Sequence, residues 1–129
     1  MKVIKIGIMP QAQVRARMIA VARGQYKPKP DEPKIWFASL KSLAETLSDK
    51  NMDLIRIIAK EKPDSIAALS QHTGRASSNL SRTLNRLAML GFVKLQKQPG
   101  NVVKPIAEAV KYRISADYDM MADTATTSP

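Results

Sequence analysis

The chain has 129 residues, 44% of them hydrophobic and 5% aromatic, with 21 Lys and Arg against 11 Asp and Glu and a formal net charge of +10. That length and apolar content suit one folded domain with a small appendage and exclude a disordered chain. The absence of cysteine excludes disulfides, thiol catalysis and Cys-ligated zinc, and no apolar run of about 18 residues is present to span a membrane.

The first elements are short. In "VIKIGI", Ile4, Ile6 and Ile8 share one face, the alternation of a strand. Its apolar run is broken by Lys5 and is too short for a secretory leader, so it reads as folded protein of a cytoplasmic chain. Pro10 suits a first helical position. Val14, Met18 and Val21 then recur at i, i+4 and i+7, and Gly24 is a stop signal. "YKPKPDEP" holds three prolines in eight residues and predicts an extended linker. "KIWFA" reads as a second strand. Two strands make a weak sheet. Residues 1–38 are therefore expected to form a strand–helix–linker–strand extension that meets a partner subunit through Ile4, Ile6, Ile8, Val14, Met18, Val21 and Trp36. Trp36, between Ile35 and Phe37, fits a core position or an interface anchor equally well.

Ser39 is a good N-cap for "LKSLAETL", with Leu40, Leu43, Ala44 and Leu47 on one side. "SDKN" reads as an interruption. "MDLIRIIAKEK" predicts a helix with Leu54, Ile55, Ile58 and Ala59 inward, stopped by Pro63. Asp64 or Ser65 caps a short helix, "IAALSQHTG", and Gly74 permits a tight turn. A longer helix follows from Ser77 to Leu90, ended by Gly91, with Leu80, Leu84 and Leu87 as its buried stripe. After Gly91 the period changes to that of strands. "FVKLQKQ", the turn "PGN", and the runs "VVKPI" and "AVKYRIS" follow. Residues 116–129, with Asp117, Asp119 and Asp123, are expected to be a flexible acidic tail.

Charge follows this division. Residues 1–30 carry seven basic side chains and no acid, residues 31–63 balance six against six, and residues 64–115 carry eight basic against two acidic. Two basic blocks suggest a polyanionic partner. A short helix, a tight turn, a longer helix and a hairpin make a winged helix-turn-helix. That architecture is expected over residues 39–115, in an α+β, mainly α, fold. A helix entering the major groove needs an apolar stripe, short or hydrogen-bonding side chains at its N-terminal end, and flanking cations. Ser77, Ser78, Asn79, Arg82 and Asn85 are the candidate base readers, with Asn79 or Asn85 suited to adenine and Arg82 to guanine. Arg75, Ser81, Arg86, Lys94, Lys97, Asn101 and Lys104 are the candidate phosphate ligands.

Simpler roles exist for each residue. Ser77 suits a plain N-cap, Arg82 and Arg86 suit a solvated face, and the hairpin lysines suit an edge protected from aggregation. None of these explains the element order, the stripe and the charge together. His72 stands alone, beside no carboxylate pair, and is assigned to the turn. No metal, cofactor or catalytic arrangement is expected.

"SIAALSQHTGRASSNLSRTLNRLAMLGFVKL" resembles the winged helix of MarR-like regulators, over about residues 50–115. Ser78, Asn79, Ser81 and Arg82 match the recognition helix of that pattern, and Lys94 and Lys97 fall in the first strand of its wing. Over nearly the whole chain, "IKIGIM", "ARGQYKPK", "PKIWFASLKSLAETLS" and "RIIAKEKP" resemble a group of small prokaryotic predicted DNA-binding regulators, some of them antitoxin-like. The resemblance implies a homodimeric repressor of double-stranded DNA, with an antitoxin that binds a cognate toxin as the alternative. MarR proteins dimerise through long terminal helices that this chain lacks, so the N-terminal extension would take over that role.

Overall fold

The computed structural model describes residues 2–116, so the expected acidic tail, apart from Ala116, lies outside the described residues. In chain order the elements are β1 (Val3–Ile8), α1 (Gln11–Ala22), β2 (Ile35–Phe37), α2 (Leu40–Thr46) and α3 (Asp49–Glu61), then α4 (Ile66–Thr73), α5 (Ser77–Leu90), β3 (Val93–Gln98), β4 (Val102–Ala107) and β5 (Lys111–Ser115). About 47% helix and 23% strand make this an α+β chain, as expected. Packing divides the described residues into two units, 2–4 with 46–112 and 5–45 with 113–116. The division falls after Glu45, whereas the element order read from sequence set the N-terminal extension at residues 1–38.

Serine hydroxyls start α3 and α4 of the first unit. Ser48 Oγ accepts from Asn51 N at 3.2 Å, and Ser65 Oγ accepts from Ala68 N at 3.0 Å. The cap at Ser48 corrects the expected interruption: "DKN" is the first turn of α3, because a satisfied cap offsets the poor helix propensity of Asp and Asn. Asp64 is excluded as the cap of α4 by the same geometry. Helix ends are set by left-handed residues. Gly74 has φ 74° and Gly91 φ 93°, a conformation glycine adopts without penalty. At α3 the same role falls to Lys62, with φ 49°, because Pro63 bars a helical continuation.

The core of this unit combines Leu54, Ile55 and Ile58 from α3, Leu69 from α4, Leu80, Leu84 and Leu87 from α5, and Phe92 and Val93 leading into β3, all at most 2% exposed. Each such side chain contributes roughly 1.5–3 kcal/mol through burial. The ring of Phe92 meets Tyr112 edge-on, with centroids 5.6 Å apart. Burial also raises the Tyr112 phenol above its usual value, and its hydroxyl donates to the Ala109 carbonyl at 3.1 Å. β3 and β4 form an antiparallel hairpin closing at Gln98↔Val102. Gly100 and Asn101 there carry φ of 77° and 61°, the backbone sense that a tight hairpin turn needs.

The second unit holds most of a three-stranded sheet in the order β2-β1-β5. β1 and β2 are parallel, pairing Ile6↔Ile35, Gly7↔Trp36 and Ile8↔Phe37, with α1 in the crossover. Gly7 is required by contact: a Cβ there would lie 2.3 Å from Cζ3 of Trp36. The last strand run therefore does not extend the hairpin. It supplies the third strand that the N-terminal pair lacked, and β1 becomes the central strand. Ile4 (7% exposed) and Ile6 (0%) are covered by the chain itself. They are not offered to a partner subunit, which corrects that assignment. Ile8 is half-buried.

Candidate nucleic-acid interface

The leucine stripe of α5 dictates what faces outward. At 100° per residue, the line opposite Leu80, Leu84 and Leu87 runs through Ser78, Arg82, Asn85 and Met89, all exposed. Met89, 88% exposed, was not among the expected site residues. Its spacing of seven from Arg82 is the signal that places it on the line. Arg82 has no hydrogen bond or ion pair among the described residues.

The N-terminus of α5 differs from those of α3 and α4. Its N-cap is Ala76, with no side-chain hydrogen bond, and Ser77 is the first helical residue. Ser77 is therefore not the cap. Exposed Ser77, Ser78 and Asn79 make up the first turn, whose N–H groups have no side-chain acceptor at the cap and lie in the positive field of the helix dipole. The turn that presents them is braced by hydroxyls. Ser70 Oγ donates to the Arg75 carbonyl at 2.6 Å. Thr73 Oγ1 donates to the Leu69 carbonyl at 2.9 Å and accepts from Arg75 N at 3.2 Å.

Other expected site residues are partly engaged. A terminal guanidinium nitrogen of Arg75 donates to Asn79 Oδ1 at 2.9 Å, and its Nε is buried without a partner among the described residues. Asn85 Nδ2 donates back to the Ser81 carbonyl at 2.8 Å, and Ser81 is half-buried. Arg86 leaves the Arg82 line and borders a small cavity of about 40 Å³ with Thr46, Asn51 and Thr83. In the hairpin, the register Lys94↔Ile106 and Gln96↔Lys104 puts Lys94 and Lys104 on one face, while Lys97, opposite Val103, is on the other. Of the three hairpin lysines, Lys94 and Lys104 therefore share a face and Lys97 does not. Lys104 also lies 3.9 Å from Asp64 Oδ1, so its charge is partly answered within the chain. Asn101 serves the turn through its positive φ. From Ser65 to Ala107 the chain contains no Asp or Glu, so no carboxylate opposes Arg75, Arg82, Arg86, Lys94 and Lys97 within this stretch.

In the second unit, Val14, Met18, Val21 and Trp36 line one groove, together with Pro28 and Pro33, of about 680 Å³. α1 buries no residue; Met18 is 65% and Val21 38% exposed. A cluster that sequence reasoning missed anchors the linker here. The Arg17 guanidinium lies 4.7 Å from the Tyr26 ring centroid and 5.2 Å from that of Trp36, and it pairs with Glu32. Glu32 also accepts from the Tyr26 hydroxyl. The Tyr26 hydrogen bond, then Arg17, holds the Glu32 carboxyl below its ordinary value, and Glu32 and Tyr26 raise Arg17. Only the Tyr and Glu flanking the prolines hinted at this.

Among the described residues no three His, Asp or Glu side chains gather where they could hold a metal ion, and no helix is long and apolar enough to cross a membrane. No curated protein and no solved structure matches the chain. The model of the HVO_A0114 family matches residues 46–114, more than half of the chain and the whole run from α3 through β4, so the chain belongs to the HVO_A0114 family.

Proposed function

We propose that this chain is a cytoplasmic, sequence-specific double-stranded DNA-binding regulator. It is a winged helix-turn-helix protein that acts as a homodimeric repressor, with α5 in the major groove and the β3–β4 hairpin as its wing. The observation that carries the reading is the outward face of α5. A fully buried leucine stripe holds the helix, its first turn has no side-chain cap, and unpaired Arg82 projects from a stretch without carboxylates. Free N–H groups at a helix start favour phosphate, and an unengaged guanidinium suits the O6 and N7 acceptors of guanine. Two copies reading a palindrome would dimerise through the second unit, where α1 leaves Val14, Met18 and Val21 unburied. The same unburied helix favours a second reading, an antitoxin that holds a cognate toxin on α1 while α5 represses its own operon.

Selection of bound duplexes from a random pool, at stated salt, tests the first reading. Arg82→Ala should lose preference at one base position per half-site, worth roughly 1–3 kcal/mol. If Arg82→Ala holds the selected duplex as tightly as the parent, α5 is not the reader. Lys94→Ala and Lys97→Ala lie on opposite hairpin faces. The one that meets phosphate should weaken all sequences alike and lower the salt slope by about one. An unchanged slope in both removes the hairpin from the backbone. Co-purification of a small protein in a 1:1 complex, lost on Met18→Asp, would favour the antitoxin.

A further inference from the structure

The two asparagines on α5 are each committed at one end of the carboxamide, in opposite senses. Arginine carries donors only, so the atom it holds on Asn79 at 2.9 Å is Oδ1. A backbone carbonyl accepts only, so the atom of Asn85 that meets Ser81 O at 2.8 Å is Nδ2. Asn79 thus turns an N–H₂ group outward beside a guanidinium, while Asn85 keeps Oδ1 free.

An unengaged asparagine reads adenine by donating to N7 and accepting from the N6 amino group. At Asn79 the second half of that pairing is opposed. The adenine amino group would have to use the remaining lone pair of an oxygen that already accepts from a guanidinium, bringing its own protons against those of Arg75. An edge that only accepts meets no such conflict, and guanine, with N7 and O6, is that edge. Arg75 is held for this task. Its backbone N–H and C=O are both bonded by Thr73 and Ser70 hydroxyls. Its Nε is shielded from solvent without a partner among the described residues, while a terminal nitrogen of the same guanidinium holds Asn79.

We propose that Arg75 is a positioning residue that turns Asn79 to read with its N–H₂ group, so that the base under Asn79 in each half-site is guanine and not adenine. This rests on the DNA-binding reading above. The full-length parent, Asn79→Ala and Arg75→Met are each taken through selection from a random duplex pool. Methionine keeps the half-buried stem of Arg75 and removes its donors, and unchanged circular dichroism and Tm confirm the fold. Asn79→Ala marks the position that Asn79 reads. The parent should select guanine there, and Arg75→Met should move that one position toward adenine by about tenfold, the lower range of what one bidentate pair discriminates. Preferences set by Arg82 should stay as they were.

Adenine in the parent site at that position overturns the proposal. So does an Arg75→Met protein that loses affinity for all sequences equally with base preferences intact, since Arg75 would then be a phosphate ligand. If the parent selects no sequence at all, the DNA-binding reading itself fails, a result distinct from either. If Arg75→Met does not fold, Arg75→Gln, which retains one donor and loses the charge, should give a smaller shift in the same direction; no shift overturns the proposal.

Discussion

α1 and α5 look alike as sequences and differ in the structure. They have 12 and 14 residues, each with an apolar stripe at i, i+4, i+7 and arginines off that stripe. In α5 the stripe is at most 1% exposed and Arg82 is unpaired among the described residues. In α1 nothing is buried, yet Arg17 lies over two aromatic rings and is paired with Glu32. An apolar stripe is covered only if other elements fold onto it. α5 has α4 before it and β3 after it, joined by tight turns that bring both into contact. α1 is followed by a proline-rich linker that gives it a groove instead of a cover. The fate of the arginines is reversed for the same reason: the linker carries Tyr26 and Glu32 to Arg17, while no acid lies near α5 in sequence.

The stripes give the strongest test of this difference. Leu84→Ala should cost about 2–5 kcal/mol of unfolding free energy, as a fully buried leucine leaving a cavity does. Met18→Ala in dilute protein should stay within about 0.5 kcal/mol of the parent. Denaturant titration of both variants checks this; a loss of several kcal/mol from Met18→Ala would erase the distinction. If α1 is the subunit contact, Met18→Ala should also abolish any dependence of Tm on protein concentration.

Helix starts give a smaller effect. Ser65→Ala removes a cap and should cost about 1 kcal/mol. Ser77→Ala, at the first helical position of α5, should change stability by less than about 0.5 kcal/mol. Equal losses would mean that α5 is capped after all.

The smallest effect concerns pH. Glu32 is held below its ordinary value of 4.5. Its contribution is therefore complete above that value and declines as pH falls through the lowered one. Trp36, the only tryptophan, faces this cluster and reports it by fluorescence. An acid change in Trp36 emission should be present in the parent and absent in Glu32→Gln. Identical curves would show that the carboxylate does not hold the linker.

The stretch around α5 was legible because its signals are local. Ser77 to Leu90 was bounded by Gly74 before and Gly91 after, and three leucines at helical spacing chose the buried face. The Ser48 cap was missed because "SDKN" reads as a break when propensities are weighed without the hydrogen bond that offsets them. That Lys94 and Lys97 take opposite faces follows from strand alternation alone, but that Lys104 shares the face of Lys94 depends on pairing with β4. Lys104 also finds Asp64 across the fold.

By itself the sequence determined the helix periods, the glycine stops, the proline stop after Lys62 and the acid-free block from Ser65 to Ala107, all properties of neighbours along the chain. Only the tertiary structure decided that β5 pairs with β1, that Ile4 and Ile6 are covered from within, and that Arg17 is clamped while Arg82 has no partner among the described residues. Strand pairing and ion-pair partners are chosen among groups distant in sequence, by which backbone edge and which charge the fold brings within hydrogen-bonding reach. Local pattern carries no record of that choice.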